Sequence, residues 1–334
     1  MVTQVTINKL KLTMGILRFC STIVRKYPDI IYYNETQKID NLYFDYNGLL
    51  HPAIRGLIKE LNESNKSMPQ DVLEKKFFKA VESYTDKVLE FAKPQKFVFV
   101  AIDGVAPRAK TNQQRERRYK SIMEKGIIEE INKEFGIETT INWDTNAITP
   151  GTRFMFELSK HLEKYCKRLE ERLNIPVIFS GPNTPSEGEH KIMDYLRKLP
   201  SDSTDINGIY GLDSDLIMLC MACGRKEMVL VREKSQFKRL KSKSSSDSPF
   251  EYLSIDKLRE GFEEEFQEIL EMGKCTFQEI LIDFVFYNFM LGNDFLPHLP
   301  TVSLKNNGLN ILMRKYTNVF RHLRRPLINK NLTV

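Results

Sequence analysis

An α/β fold built on a mainly parallel central sheet flanked by helices is predicted by two features of the sequence. Several short apolar runs do not alternate with polar residues, as befits strands covered on both faces. Longer amphipathic helical patterns separate several of them, at spacings that suit strand, crossover and parallel strand.

The runs are NLYFD (41–45), KFVFVAID (96–103), PVIFSG (176–181), INGIYGLD (206–213) and EMVLVRE (227–233). Helical periodicity fills DVLEKKFFKAVESYTDKVLEFAK (71–93) and RFMFELSKHLEKYCKRLEERL (153–173). The stretch 234–249 is serine-rich, basic and poor in apolar residues, and reads as an exposed loop. TFQEILIDFVFYNFMLGNDFLPHLP (276–300) reads as a buried helix that ends near Gly292.

A chain of 334 residues can bury a sizeable core, as one large domain or two smaller ones. Its 50 basic and 44 acidic residues leave only +6, so the position of the charges matters more than their sum. Five cysteines without a framework spacing favour a reducing compartment. Cys220 and Cys223 form a CxxC with no second pair to complete a zinc site, and read as small buried side chains. The first twenty residues lack the apolar core of a signal peptide, and no apolar run approaches the ~18 residues of a membrane span. A soluble intracellular protein is expected.

Three of the predicted strands end on acids: Asp45, Asp103, and Asp213 with Asp215. In an open parallel sheet the ligand crevice lies beyond the carboxyl ends of the strands, so these acids are expected to converge. A single aspartate there can equally be a turn former or a helix cap. Asp213 and Asp215 would share a face only if their segment is extended. The loop SGPNTPSEGEHKI (180–192) adds Glu187 and Glu189, with Gly188 between them allowing close backbone approach. An alternative for Ser186 and Glu189 is a capping box that opens the next helix. Asp294, after the apolar helix, makes a seventh acid. So many carboxylates could not share a pocket without cations. Oxygen ligands suit Mg²⁺ or Mn²⁺, and two such ions about 4 Å apart would activate a water and stabilise the leaving oxygen in phosphodiester cleavage.

The strand ending at Asp103 runs directly into PRAKTNQQRERRYKSIMEK. If this is helical from Pro107, then Lys110, Gln114, Arg117 and Arg118 gather on one face, suited to a phosphate group, although a solvated amphipathic helix would show the same pattern.

With these residues assembled, the sequence resembles the catalytic region of the Xrn-type 5′→3′ exoribonucleases, members of the PIN-like and flap-endonuclease superfamily. The resemblance runs in order through DNLYFDYNGLLHP, AIDGVAPRAKTNQQRERR, ITPGTRFM, VIFSGPNTPSEGEHKIMDYLR, IYGLDSDLIML and DFVFYNFMLGNDFLPHLP. It implies a PIN-like core whose two-metal site, holding two Mg²⁺ ions or alternatively Mn²⁺, uses Asp45, Asp103, Glu187, Glu189, Asp213, Asp215 and Asp294. It implies a 5′-monophosphate pocket of Lys110, Gln114, Arg117 and Arg118, with His51 beside the terminal nucleotide. The implied activity is release of nucleoside 5′-monophosphates from single-stranded RNA bearing a 5′-monophosphate. Rival expectations are an RNA end-binding scaffold and a flap-type DNA nuclease. Residues 1–13 would be an N-terminal extension before Met14-Gly15, residues 14–301 the nuclease domain, and residues 302–334 a short tail in place of the family's second conserved region. A monomer is expected, cytoplasmic or alternatively nuclear, without membrane contact. Tyr43, Tyr46, Tyr119 and Trp143 could stack bases or serve as core aromatics.

Overall fold

The structure, a computed structural model, describes residues 19–328 except 34–36, 65, 137–140, 142, 201, 235–247, 274, 294–295, 298, 303 and 305–306. Met14-Gly15, the extension 1–13, most of the basic loop and Asp294 therefore lie outside the described residues. Among the described residues the chain forms two compact units, one within residues 32–212 and 226–253, the other within residues 19–31, 213–225 and 254–328.

The first unit carries the sheet, whose strand order is β1-β7-β6-β5-β2-β3-β4. The strands are β1 (Ile31–Tyr32), β2 (Ile39–Asp45), β3 (Pro94–Ala101), β4 (Val177–Ser180), β5 (Asn207–Tyr210), β6 (Met228–Glu233) and β7 (Phe250–Ser254). The pairs β2–β3, β3–β4, β2–β5 and β5–β6 are parallel. From β2 the chain builds outward through β3 to β4, then returns to place β5 and β6 on the other side. The switch in direction falls beside β2, and Asp45 is its last residue. Strands β2, β3, β5 and β6 fulfil the apolar-run expectation: Leu42, Phe44, Val98, Val100, Tyr210 and Val231 are buried. The two-residue β1 and the short β7, FEYLS, whose apolar residues are interrupted by Glu251, lack such a run and were not expected.

Helices α2 (Tyr46–Glu63), α3 (Gln70–Ala92) and α5 (Arg153–Leu173) contribute Leu50, Ile54, Phe77, Val81, Leu158 and Leu162 to the main core cluster. The helix α6 (Gly188–Lys198) packs against β2 and β3, with Tyr195 stacked on Phe97 at 5.2 Å between ring centroids. Trp143 sits edge-on to Phe77 and Phe154, Tyr43 is fully buried, and the Tyr46 hydroxyl hydrogen-bonds with Thr85 Oγ1 at 2.8 Å. These three aromatics are core groups rather than base-stacking platforms. Tyr119 lies exposed on α4 (Arg108–Glu134), a helix in which Lys110 is the buried residue.

The second unit contains α1 (Phe19–Lys26), α7 (Asp215–Ala222), α8 (Ile255–Glu265), α9 (Gln267–Met272), α10 (Phe277–Asn288) and α11 (Gly308–Leu323). A capping box of Thr276 and Glu279 starts α10, and a single turn of 3₁₀ helix carries it to Gly292 at φ 86°, the expected end. Asp283, fully buried in α10, accepts hydrogen bonds from the Tyr316 hydroxyl (2.6 Å) and the backbone of Leu327 and Ile328. Residues 308–323, expected within a tail, thus form a packed helix. No helix among the described residues is long and apolar enough to cross a membrane.

Candidate active site

Asp45 ends β2 and is buried; Asp103 follows β3 by two residues. The two meet at Gly188, the first residue of α6. A Cβ on Gly188 would stand 2.7 Å from Asp45 Oδ1, 2.9 Å from the Ala101 carbonyl oxygen and 3.4 Å from Asp103 Oδ1. The glycine is required here by close approach. Its own N–H uses that approach, donating to Asp103 Oδ1 at 2.7 Å. The other Asp103 oxygen accepts from Asn47 Nδ2 at 2.8 Å, while the Asp103 N–H donates to Asn47 Oδ1 at 3.3 Å. Asn47, in the first turn of α2, was missed by sequence reasoning; its only signal was its place two residues after Asp45.

The loop that delivers Glu187 is fastened to the segment after Asp103. Gly104 N–H donates to the Ser186 carbonyl at 2.8 Å and Ser186 N–H to the Val105 carbonyl at 3.0 Å. A Cβ on Gly104 would lie 1.9 Å from the Thr184 carbonyl oxygen, so the two loops pass in direct contact. Ser186 is held at φ 92°, a costly conformation for a residue with a side chain. The capping-box alternative for Ser186 and Glu189 is corrected: Glu187 is the N-cap of α6, without a side-chain cap bond. The loop bonds that force Ser186 out of the usual backbone region also remove it from the cap position.

Glu187 and Glu189, both buried, lie with His190 so that one ligand atom from each falls within 4.8 Å of the others. Glu187 Oε1 pairs with Lys110 Nζ at 2.6 Å, and its other oxygen, Oε2, is buried without a hydrogen-bond partner. Burial, with the neighbouring Glu187 charge, pushes the Asp103 carboxyl up to about 6. A buried carboxylate oxygen without a donor, beside a carboxyl that resists ionisation, fits a divalent cation. Residues able to hold one are Asp45, Asp103, Glu187 and Glu189, with His190 as a nitrogen donor that sequence reasoning did not single out.

Lys110, expected to face a phosphate, is buried against Glu187, so α4 starts at the acidic pocket itself. Gln114, Arg117 and Arg118 continue along this helix, each half-buried. Half-buried His51 feels both Arg55 and Arg117; burial first, then these charges, lower its pKa to about 4. His51 is therefore neutral at physiological pH. Between pH ~4 and ~6.5 the folded state binds fewer protons at this site than the unfolded chain, so stability rises with pH across that window and falls on acidification. The expected effect is on the order of 2 kcal/mol. Denaturant midpoints from pH 4 to 7 should show a shallower rise for His51→Gln than for the wild type; identical slopes would refute the assignment.

Asp213 and Asp215 belong to the second unit. Asp215 opens α7, and Ser214 before it has helical angles (φ −70°, ψ −23°). The extended segment that would set Asp213 and Asp215 on one face is absent, because the chain turns into the helix between them. Asp294 lies outside the described residues.

A mainly parallel sheet flanked by helices, with paired carboxylates, an amide clamp and a buried lysine near its strand ends, is the class these observations define. The family model described as XRN 5′-3′ exonuclease N-terminus matches residues 14–234, and the model described as Xrn1 helical domain matches residues 274–334. The chain belongs to the XRN 5′-3′ exonuclease family. Similar relatives include 5′-3′ exoribonuclease 1 of Saccharomyces cerevisiae, 36% identical over 330 residues, and 5′-3′ exoribonuclease 1 of Homo sapiens, 33% identical over 331 residues. The alignments cover 92% and 93% of this chain but only 21% and 19% of those relatives. A solved structure of the catalytic core of Rad2 in complex with DNA substrate matches with a TM-score of 0.42 and 13% identity, covering 96% of this chain and 82% of that one. The fold assignment rests on the strand order, not on that likeness.

Proposed function

We propose that this chain carries out 5′→3′ exoribonucleolytic hydrolysis, releasing nucleoside 5′-monophosphates from single-stranded RNA that bears a 5′-monophosphate. The observation that carries this reading is the contact of Lys110 with Glu187 (2.6 Å), which makes the start of the cationic helix and the acidic pocket immediate neighbours. A terminal phosphate held at the start of α4 would lie beside the pocket.

In this reading Gln114, Arg117, Arg118 and Lys110 bind the terminal phosphate, the arginines through bidentate hydrogen bonds. Neutral His51 packs beside the terminal nucleotide without adding charge. Asp45, Asp103, Glu187 and Glu189 form the acidic set of this unit, which would hold divalent ions, Mg²⁺ or Mn²⁺. Bound divalent ions would supply Lewis acidity at the scissile phosphate. Asn47 and the Gly188 N–H keep Asp103 oriented through that chemistry.

The test is digestion of one RNA sequence carrying a 5′-monophosphate, a 5′-hydroxyl or a 5′-triphosphate, with the matching DNA alongside, in Mg²⁺ and in Mn²⁺. Stepwise mononucleotide release from the monophosphate RNA alone is the expected result. Equal digestion of all ends would remove the phosphate pocket from the account, preference for DNA would favour a DNA nuclease, and binding without cleavage would favour an end-binding protein.

A further inference from the structure

We propose that Lys191 is a positioning residue for the acidic pocket, clamping together the two segments that deliver Asp103 and Glu187. This rests on the reading of that pocket as a divalent-cation site.

Lys191 lies in the first turn of α6 and is buried, among the apolar neighbours Ile192 and Met193. Its Nζ donates to the Ile102 carbonyl at 2.7 Å and to the Gly181 carbonyl at 2.9 Å. Ile102 immediately precedes Asp103, and Gly181 opens the loop that ends at Glu187. Strand pairing between β3 and β4 ends at Ala101 and Ser180, with one further bond from Ile102 N–H to Ser180 O at 3.0 Å. The backbone hydrogen bonds between the two segments resume at Gly104 and Ser186. The ammonium spans the gap where the strands diverge. Its own backbone N–H donates to the Glu187 carbonyl at 3.0 Å, so one residue ties α6, the end of β3 and the loop after β4.

An apolar side chain at this inward position would avoid the cost of burying an ammonium, and stability alone therefore argues against lysine. Two explanations for its presence make opposite predictions. Acting only as a charge, Lys191 would repel a divalent cation, and its loss would tighten cation binding. Acting as a clamp, it holds the carboxylates in place, and its loss would weaken binding.

Mn²⁺ binding to the full chain, read by the electron paramagnetic resonance of free Mn²⁺ without RNA, separates them. Lys191→Met, which keeps volume but loses the ammonium, is expected to raise the Mn²⁺ Kd about tenfold, within the ~10–100-fold range of groups that orient metal ligands. On 5′-phosphorylated RNA, kcat should fall by a similar factor while KM moves less than about twofold, since the phosphate-binding groups are untouched. Lys191→Arg is measured in parallel. It keeps the charge, but the bulkier, planar guanidinium cannot place a donor at the buried Nζ position without pushing the Ile102 and Gly181 segments apart, so the clamp predicts weaker binding here too and settles the matter if Lys191→Met does not fold. Mn²⁺ binding as tight as, or tighter than, that of the wild type in the folded variant overturns the clamp. A wild type that binds no Mn²⁺ overturns the reading of the pocket itself, and the clamp with it.

Discussion

Asp103→Asn is expected to abolish nucleotide release, lowering kcat by about 10³-fold, or about 4 kcal/mol of barrier, while leaving the fold intact. Both Asp103 oxygens accept hydrogen bonds, from Gly188 N–H and from Asn47 Nδ2, so an asparagine must turn its NH₂ toward one of these donors. It also removes the negative charge needed to hold a cation. The carboxylate is costly in the folded chain, since burial and Glu187 raise its pKa. Losing the charge therefore relieves part of the destabilisation incurred by losing a hydrogen bond, and Tm without added metal should change by no more than a few degrees. The check is thermal melting with and without Mg²⁺, beside chromatography of released mononucleotides. The wild type should gain Tm with Mg²⁺ and the variant should not. Retained activity would remove Asp103 from the reaction, and collapse of the fold would make its role structural.

Gly188→Ala should be nearly as damaging, by a different route. Helix propensity favours alanine over glycine by about 0.5–1 kcal/mol. The added Cβ, however, would meet Asp45 Oδ1 at 2.7 Å and the Ala101 carbonyl oxygen at 2.9 Å. Ala101 ends a strand paired on both sides and cannot yield cheaply, so α6 must move away or the Asp45 carboxylate must turn. Overpacking of this kind costs about 1–3 kcal/mol, which outweighs the propensity gain. The hydrogen bond from Gly188 N–H to Asp103 would lengthen at the same time. We expect a net loss of stability and a fall in kcat of about 10²-fold or more. Measured stability above that of the wild type, with activity preserved, would show that the glycine was not held there by close approach.

Several features were legible because they depend on local pattern. Unalternated apolar runs marked five of the seven strands, and the sheet's parallel core followed from the helices between them. Acids at strand ends pointed to Asp45, Asp103 and Glu187 because a parallel sheet puts those ends on one side. Gly188 was suspected for the reason the structure gives, a backbone passing close to other groups. The sequence did not reveal β7, whose five residues FEYLS break the apolar run with the buried Glu251, held by the Tyr33 hydroxyl at 2.9 Å. Asn47, His190 and Lys191 were also missed, since each acts through a partner more than forty residues away or, for His190, through a shared position in space.

The sequence by itself determined five of the strands, the long helices between them and which acids stand at or just beyond strand ends, because hydrophobic periodicity acts over a few residues. Only the tertiary structure decided that Lys110 would pair with Glu187, that Ser186 would leave the helix cap, and that Asp213 and Asp215 would be divided by a helical turn. Those outcomes depend on contacts between distant segments, or on how one segment is drawn into its neighbours, and local propensity does not encode them.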